Sequence, residues 1–207
     1  MEFERTVRSR HMVRSFSKRG VDSSIIDSCV DLASRSPSAG KTQGWHLVLL
    51  ENADTEKFWK HTFPAQRREG FRWPHLFDAP AIAIACTDPY AYLERYSEDD
   101  KAPTGLGESV DKWPTPYWTV DASFAVMTFL LALHDAGVGA LFFAVFNGEE
   151  SLRQEIAIPD HVQIIGAIAM GYPHESNGYP HNDHEEKGVS ASRDRHGVND
   201  IIHRGKW

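Results

Sequence analysis

The chain has 207 residues, 41% hydrophobic and 25% charged, with a formal net charge of −7 and an isoelectric point near 5.9. That length builds one ordinary domain with a core large enough to need no staple, and the composition argues against a disordered or fibrous chain. The negative balance argues against a grip on nucleic acid, whose phosphates need a net basic face.

Residues 1–16 carry arginines but no apolar run, so no signal peptide is expected. Residues 21–35 read as a helix: Asp22 is the expected N-cap, Val21 and Ile26 form a hydrophobic staple, and Ile25, Ile26, Cys29, Val30 and Ala33 recur at helical spacing. The pattern stops in the loop S-P-S-A-G at 36–40. A strand is expected at 45–50, a short helix at 55–62 and a buried strand at 80–86, whose small alternate residues predict a helix close over one face. Cys29 and Cys86 are expected to be reduced core residues.

From 88 to 118 the periodicity fades and aromatics and prolines gather, as in a functional lid. Asp121 is the expected cap of a buried helix to Ala136, apolar nearly all round, with Gly137 at its stop. Its most apolar run, 122–133, falls short of the roughly 20 residues a membrane span needs, so a soluble cytoplasmic protein with no membrane partner is expected. Strands at 139–146 and 162–170 flank a helix at 149–156. A polar, histidine-rich tail follows from Gly171. The order predicts one α+β domain over 1–207, with a lid at 88–118 and a tail at 171–207.

Several familiar chemistries lack their residues. Gly40-Lys41-Thr42 has Arg35 where a phosphate-binding P-loop needs glycine, and its helix and strand come in the wrong order. There is no GxGxxG after a strand, no GxSxG and no HExxH. His174, His181 and His184 have no cysteine to complete a zinc set and read as a solvated loop. Arg10 and Arg14 are four apart, able to share a face if locally helical, and Arg193 and Arg195 lie near the other end. From charge alone they are either a phosphate grip or four solvated arginines.

The string R-H-M-V-R-S-F at 10–16, the capped helix, and S-P-S-A-G-K-T-Q-G-W at 36–45 resemble the N-terminal half of FMN-dependent nitroreductases. D-A-G-V-G-A-L-F-F-A-V-F at 135–146 resembles the helix end and strand beneath their flavin, and residues 158–173 resemble their strand ending in Gly-x-Pro. The resemblance spans nearly all of the chain except 88–118. It implies a mainly antiparallel sheet flanked by helices and an intertwined homodimer with FMN at the interface. Arg10, His11, Met12 and Arg14, with Arg193 and Arg195, would grip the phosphate and ribityl chain. Pro37, Ser38, Ala39 and Lys41 would come from the partner subunit. Arg72, with His75 near it, would meet the pyrimidine edge, and Ala144 and Val145 would offer N–H groups near N5 and O4. Lys41 stands where the family has Asn, and either approaches the flavin O2 or turns to solvent. Met12 replaces Ser, leaving a backbone contact there.

The implied reaction is ping-pong: NAD(P)H passes hydride to flavin N5, and an electron-poor acceptor, a nitroaromatic or quinone, then takes it. No side chain need act as acid, base or nucleophile. Trp113, Tyr117 and Trp118 read either as walls for a flat substrate or as core anchors. The alternatives are a flavin-fragmenting or dehalogenating relative and a non-catalytic flavin-binding module.

Overall fold

Four antiparallel strands in the order β1-β2-β4-β3 form the spine of the computed structural model, which describes residues 2–174 and 193–207. They are β1 (Trp45–Glu51), β2 (Ala81–Thr87), β3 (Gly139–Phe143) and β4 (Gln163–Gly171). The helices are α1 (Phe3–Ser9), α2 (Ser23–Ala33), α3 (Thr55–Thr62), α4 (Pro89–Ser97), α5 (Tyr117–Asp135), α6 (Glu149–Glu155) and α7 (Val198–Ile201). The fold is α+β, with the sheet expected of it. Two compact units divide the chain near residue 176. The described part of the second, 193–207, carries the single turn α7 and is exposed throughout.

All seven residues of β2 are buried, and their alternation sorts the core. Ala81, Ala83 and Ala85 face a cluster with Ile26 of α2 and Phe129 and Leu133 of α5; Ile82, Ile84 and Cys86 face Phe58 and Trp59 of α3 and Leu152 of α6. Alanine on one face lets α5 approach the sheet, as the sequence predicted. Both cysteines are buried and free, and burial pushes each thiol up to about 11. Asp22 caps α2, accepting the Ser24 N–H at 2.9 Å.

Four expectations are corrected. The long helix begins at Tyr117, not after Asp121, which sits in its second turn with its carboxylate engaged elsewhere. Nor is α5 apolar on a wholly buried surface: Tyr117, Phe124 and Met127 are 41%, 47% and 42% exposed. With half-buried Val120 and Leu131 they form a stripe at three- and four-residue steps. The 88–118 stretch is more regular than its weak periodicity suggests: Asp88 caps α4, Pro89 takes its first turn, and Tyr92, Trp113 and Trp118 form a third core cluster. Finally, β3 stops at Phe143, where its ladder with β4 ends at Ala167, so Ala144, Val145 and Phe146 lie beyond the sheet.

α5 is long and apolar enough to cross a membrane by length and composition, but it packs against α2 and the sheet and carries buried Asp121 and His134.

Candidate functional site

Arg10 and Arg14 do not share a helical face. α1 ends at Ser9, and Arg10 turns the chain into extended backbone at ψ 126. The Val13 N–H donates to the Ala140 carbonyl at 2.9 Å, so residues 10–16 run along the outer edge of β3. Gly139 permits this approach, since a Cβ there would stand 2.8 Å from Cγ2 of Val13. Phe16, bridged to Pro173, anchors the far end in the core. From Arg5 to Arg19 inclusive there are six Lys/Arg and no Asp/Glu, an island of positive charge in an acidic chain.

Arg10 and His11 line a small cleft with Leu130, His134, Val138 and Ala140. The buried His134 ring is held below the ordinary imidazole range, first by burial and then by the charges of His11 and Arg10. The Arg10 and His11 side chains thus face the same buried imidazole. Met12 is half-buried and packs against both large clusters. Arg14 lies with its guanidinium 5.2 Å from the Trp73 ring centroid, and Arg72 stands 5.3 Å from the same ring. Two of the predicted residues, far apart in sequence, therefore meet on one indole. Trp73 itself was missed by the sequence reading; its only signal was an aromatic between Arg72 and Pro74.

Two residues beyond Trp73, His75 stacks on His174 with centroids 4.1 Å apart, bonds Asp78 Oδ2 through Nδ1 at 2.8 Å, and accepts the Phe16 N–H on its carbonyl. His174 is thus tied into the fold rather than lying in a solvated loop; His181 and His184 fall outside the described residues. Among the described residues no group of three potential ligands could hold a metal. Ala144 is exposed beyond the end of β3, and Val145 packs beside the same cluster as Met12 and Trp73. Arg193 and Arg195 stand exposed in the second unit.

The 37–41 loop belongs to the other end of α5. Ala39 donates its N–H to Asp121 at 2.7 Å, and the Ser36 and Thr128 hydroxyls lie 2.8 Å apart. Pro37 and Lys41 are exposed, while Ser38 and Ala39 are half-buried. Asp121 and His134 are thirteen residues apart on the helix, roughly 20 Å along its axis. One chain therefore presents the two predicted halves at opposite ends of α5.

Trp113 and Trp118 are buried, with their indole N–H groups donating to Leu106 O at 2.9 Å and Gln163 Oε1 at 3.1 Å. Trp113 meets Tyr92, Tyr96 and Trp118 edge-on. Of the two readings, core anchoring describes their contacts in this protomer; Tyr117 keeps an open face.

A family model described as the nitroreductase family matches residues 7–172. The chain is 26% identical over 203 residues to an Archaeoglobus fulgidus protein provisionally named NADH dehydrogenase/NAD(P)H nitroreductase, covering 96% of this chain and 95% of that one. It is 25% identical to an iodotyrosine deiodinase of Nematostella vectensis, covering 83% and 67%. A solved nitroreductase family protein from Streptococcus pneumoniae superposes with a TM-score of 0.74 at 19% identity, over 98% of this chain and all of that one.

Proposed function

The chain belongs to the nitroreductase family, and from that premise we propose that it is an NAD(P)H-dependent oxidoreductase that holds FMN between the subunits of a homodimer and reduces an electron-poor nitroaromatic or quinone. The observation that carries this reading is the separation of the two residue sets along α5, joined to the exposed stripe between them. A second copy packed on that stripe about a twofold axis runs its α5 antiparallel. Each 37–41 loop then lies beside the Arg10–His11 cleft of the other subunit. The residues fit the cofactor: the basic side chains from Arg5 to Arg19 suit a phosphate dianion, and the two guanidiniums gathered at Trp73 suit the electron-rich carbonyl edge of the flavin pyrimidine.

FMN, when bound, supplies the two-electron chemistry. The protein's own part is binding, orientation and electrostatics. Arg10, His11 and Arg14, with Arg193 and Arg195 from the tail, hold the phosphate and ribityl chain, and Met12 contributes its backbone. Arg72 meets the pyrimidine edge, Ala144 and Val145 offer backbone N–H groups to the ring, and Pro37, Ser38, Ala39 and Lys41 close the site from the partner. Tyr117, the first residue of the stripe, falls at the edge of the packed helices beside the other subunit's cleft and turns its ring toward the acceptor there, and no side chain is needed to shuttle protons. This reading includes a single flavin-binding domain, with its lid and tail, working in a reducing cytoplasm.

The deiodinase relative favours a second reading, reductive dehalogenation on the same scaffold. Anaerobic titration of the flavin-loaded protein with NADH and NADPH is the test. Prompt bleaching of the flavin band, followed by recovery on adding a nitroaromatic, is expected. Halide release from a halophenol without nitro reduction would favour the second reading. A band that neither nicotinamide bleaches would leave only a binding module.

A further inference from the structure

One buried carboxylate holds the Ser38–Gln43 turn from behind. Asp121 is 6% exposed, and its Oδ2 accepts both the Ala39 N–H at 2.7 Å and the Tyr92 hydroxyl at 2.8 Å. Tyr92 is fully buried. Burial, opposed by the Ser38 hydroxyl and reinforced by Asp121, pushes its phenol well above the ordinary range, so it remains a donor. The Ser38 hydroxyl also accepts the Gln43 N–H at 2.9 Å, closing the turn on itself.

Nearly one helical turn further along α4, Arg95 donates Nε–H to the Gly40 carbonyl at 2.8 Å, while its terminal nitrogens hold Asp100 at 2.7 and 2.9 Å. The Tyr96 ring closes the remaining side, where a Cβ on Gly40 would come within 3.0 Å. Tyr92, Arg95 and Tyr96 follow the three- and four-residue spacing of one helix face. They hold Gly40, at a φ of 60° that glycine adopts freely, next to two residues that do not: Lys41 and Gln43 each have a φ of 57°. Left-handed backbone is disfavoured for residues with a Cβ and persists where surrounding contacts over-determine it. Lys41 leaves this turn exposed.

We propose that Asp121 is a positioning residue for Lys41: through Ala39 and Tyr92 it fixes the turn that presents the lysine ammonium to the flavin held by the other subunit. The inference rests on the FMN homodimer proposed above. It also gives the 88–118 stretch a role apart from covering substrate, since α4 becomes the splint of the cofactor turn. With Asp121 gone, the turn relaxes toward ordinary backbone and the ammonium group swings away.

The test uses the full chain, stripped of flavin and titrated with FMN, with the potential of the bound flavin measured alongside. Lys41→Gln and Asp121→Ala are each expected to weaken FMN binding about tenfold, the scale of one charge-assisted hydrogen bond. Lys41→Gln should also lower the flavin potential, because it withdraws positive charge from the ring, and Asp121→Ala should lie below Asp121→Asn, which removes the same carboxylate charge but keeps the turn. The Asp121→Ala/Lys41→Gln double variant should bind no more weakly than either single one, since the second change removes what the first has already misplaced. Asp121→Asn, whose amide oxygen still accepts both donors, should restore binding to within about threefold of the unsubstituted chain. Tyr92→Phe keeps the ring in the core, loses one donor, and carries the same cycle if Asp121→Ala does not fold. Additive losses, or Asp121→Ala and Tyr92→Phe proteins that match the unsubstituted chain in affinity and potential, would overturn the positioning role while the FMN reading stands. An unsubstituted chain that takes up no FMN would sink both.

Discussion

The Ser9 hydroxyl lies 2.8 Å from Nε2 of His134, whose ring meets His11 edge-on with centroids 6.1 Å apart. Burial, then the charges of His11 and Arg10, depresses proton binding at His134; Asp135 opposes this more weakly. The unfolded chain therefore binds more protons near the ordinary histidine value of 6.5, so this stabilising contribution is present above that value and is lost as pH falls through the lower folded one. Urea unfolding at pH 8 and pH 5 should show a larger loss for the unsubstituted chain than for His134→Gln. A phosphate seated between Arg10 and His11 offsets their charge, so NMR titration should find His134 more basic with FMN bound. If His134 in the stripped protein titrated at or above its ordinary value, the charges of Arg10 and His11 would not act on the buried ring.

Arg10→Ala and Arg195→Ala should each weaken FMN binding by about ten- to a hundredfold, the equivalent of roughly 1.5–3 kcal/mol for a hydrogen bond to a charged group. The fold should survive, because neither side chain fills the core. Arg14→Lys tests the indole contact separately: it keeps the charge but loses the planar group that stacks on Trp73. Flavin affinity and melting temperature, measured together, are the check. Unchanged affinity in the first two variants would return those arginines to solvated surface charge.

What was legible in the sequence depended on whether a signal was local. The α2 cap, the alanine face of β2 and the boundaries of α3 follow from neighbouring residues, and all three appear as expected. Asp121 misled because a carboxylate ahead of an apolar run reads as a cap, whereas here its partners, Ala39 and Tyr92, are 82 and 29 residues away. The 88–118 stretch looked irregular for a similar reason. Its aromatics pack on one another across short turns, a pattern with no fixed period. Trp73 offers little signal because only Arg72 is its neighbour; Arg14, the second cation over its ring, comes from the other side of α2 and β1 in the sequence.

The buried tryptophans and the exposed tyrosine of the 88–118 region should separate cleanly. Trp118→Ala removes a core indole and is expected to destabilise the fold by about 3–5 kcal/mol, visible in urea unfolding. Tyr117→Ala leaves the core intact and should shift acceptor KM, while nicotinamide-driven flavin reduction changes little. Stopped-flow measurement of each half-reaction distinguishes them. A Tyr117→Ala protein altered equally in both halves would remove that residue from the acceptor wall.

Met127→Glu, at the centre of the exposed α5 stripe, tests the assembly on which the shared site depends. Met127 lies one helical turn from Phe124 and from Leu131, so a carboxylate there would be buried against the partner's apolar stripe without a counter-charge. Truncated contacts and an unpaired charge together disfavour such an interface by several kcal/mol. In the free protomer the same side chain is 42% exposed and meets water, so the monomer should keep its secondary structure and urea midpoint. Sedimentation should therefore show a dimer becoming a folded monomer. FMN should leave with the partner, since Pro37 to Lys41 would no longer face the Arg10–His11 cleft. A monomer that still bound FMN with the affinity of the unsubstituted protein would mean that one chain completes the site by itself, and the roughly 20 Å separation along α5 would then need bridging by residues of the same subunit.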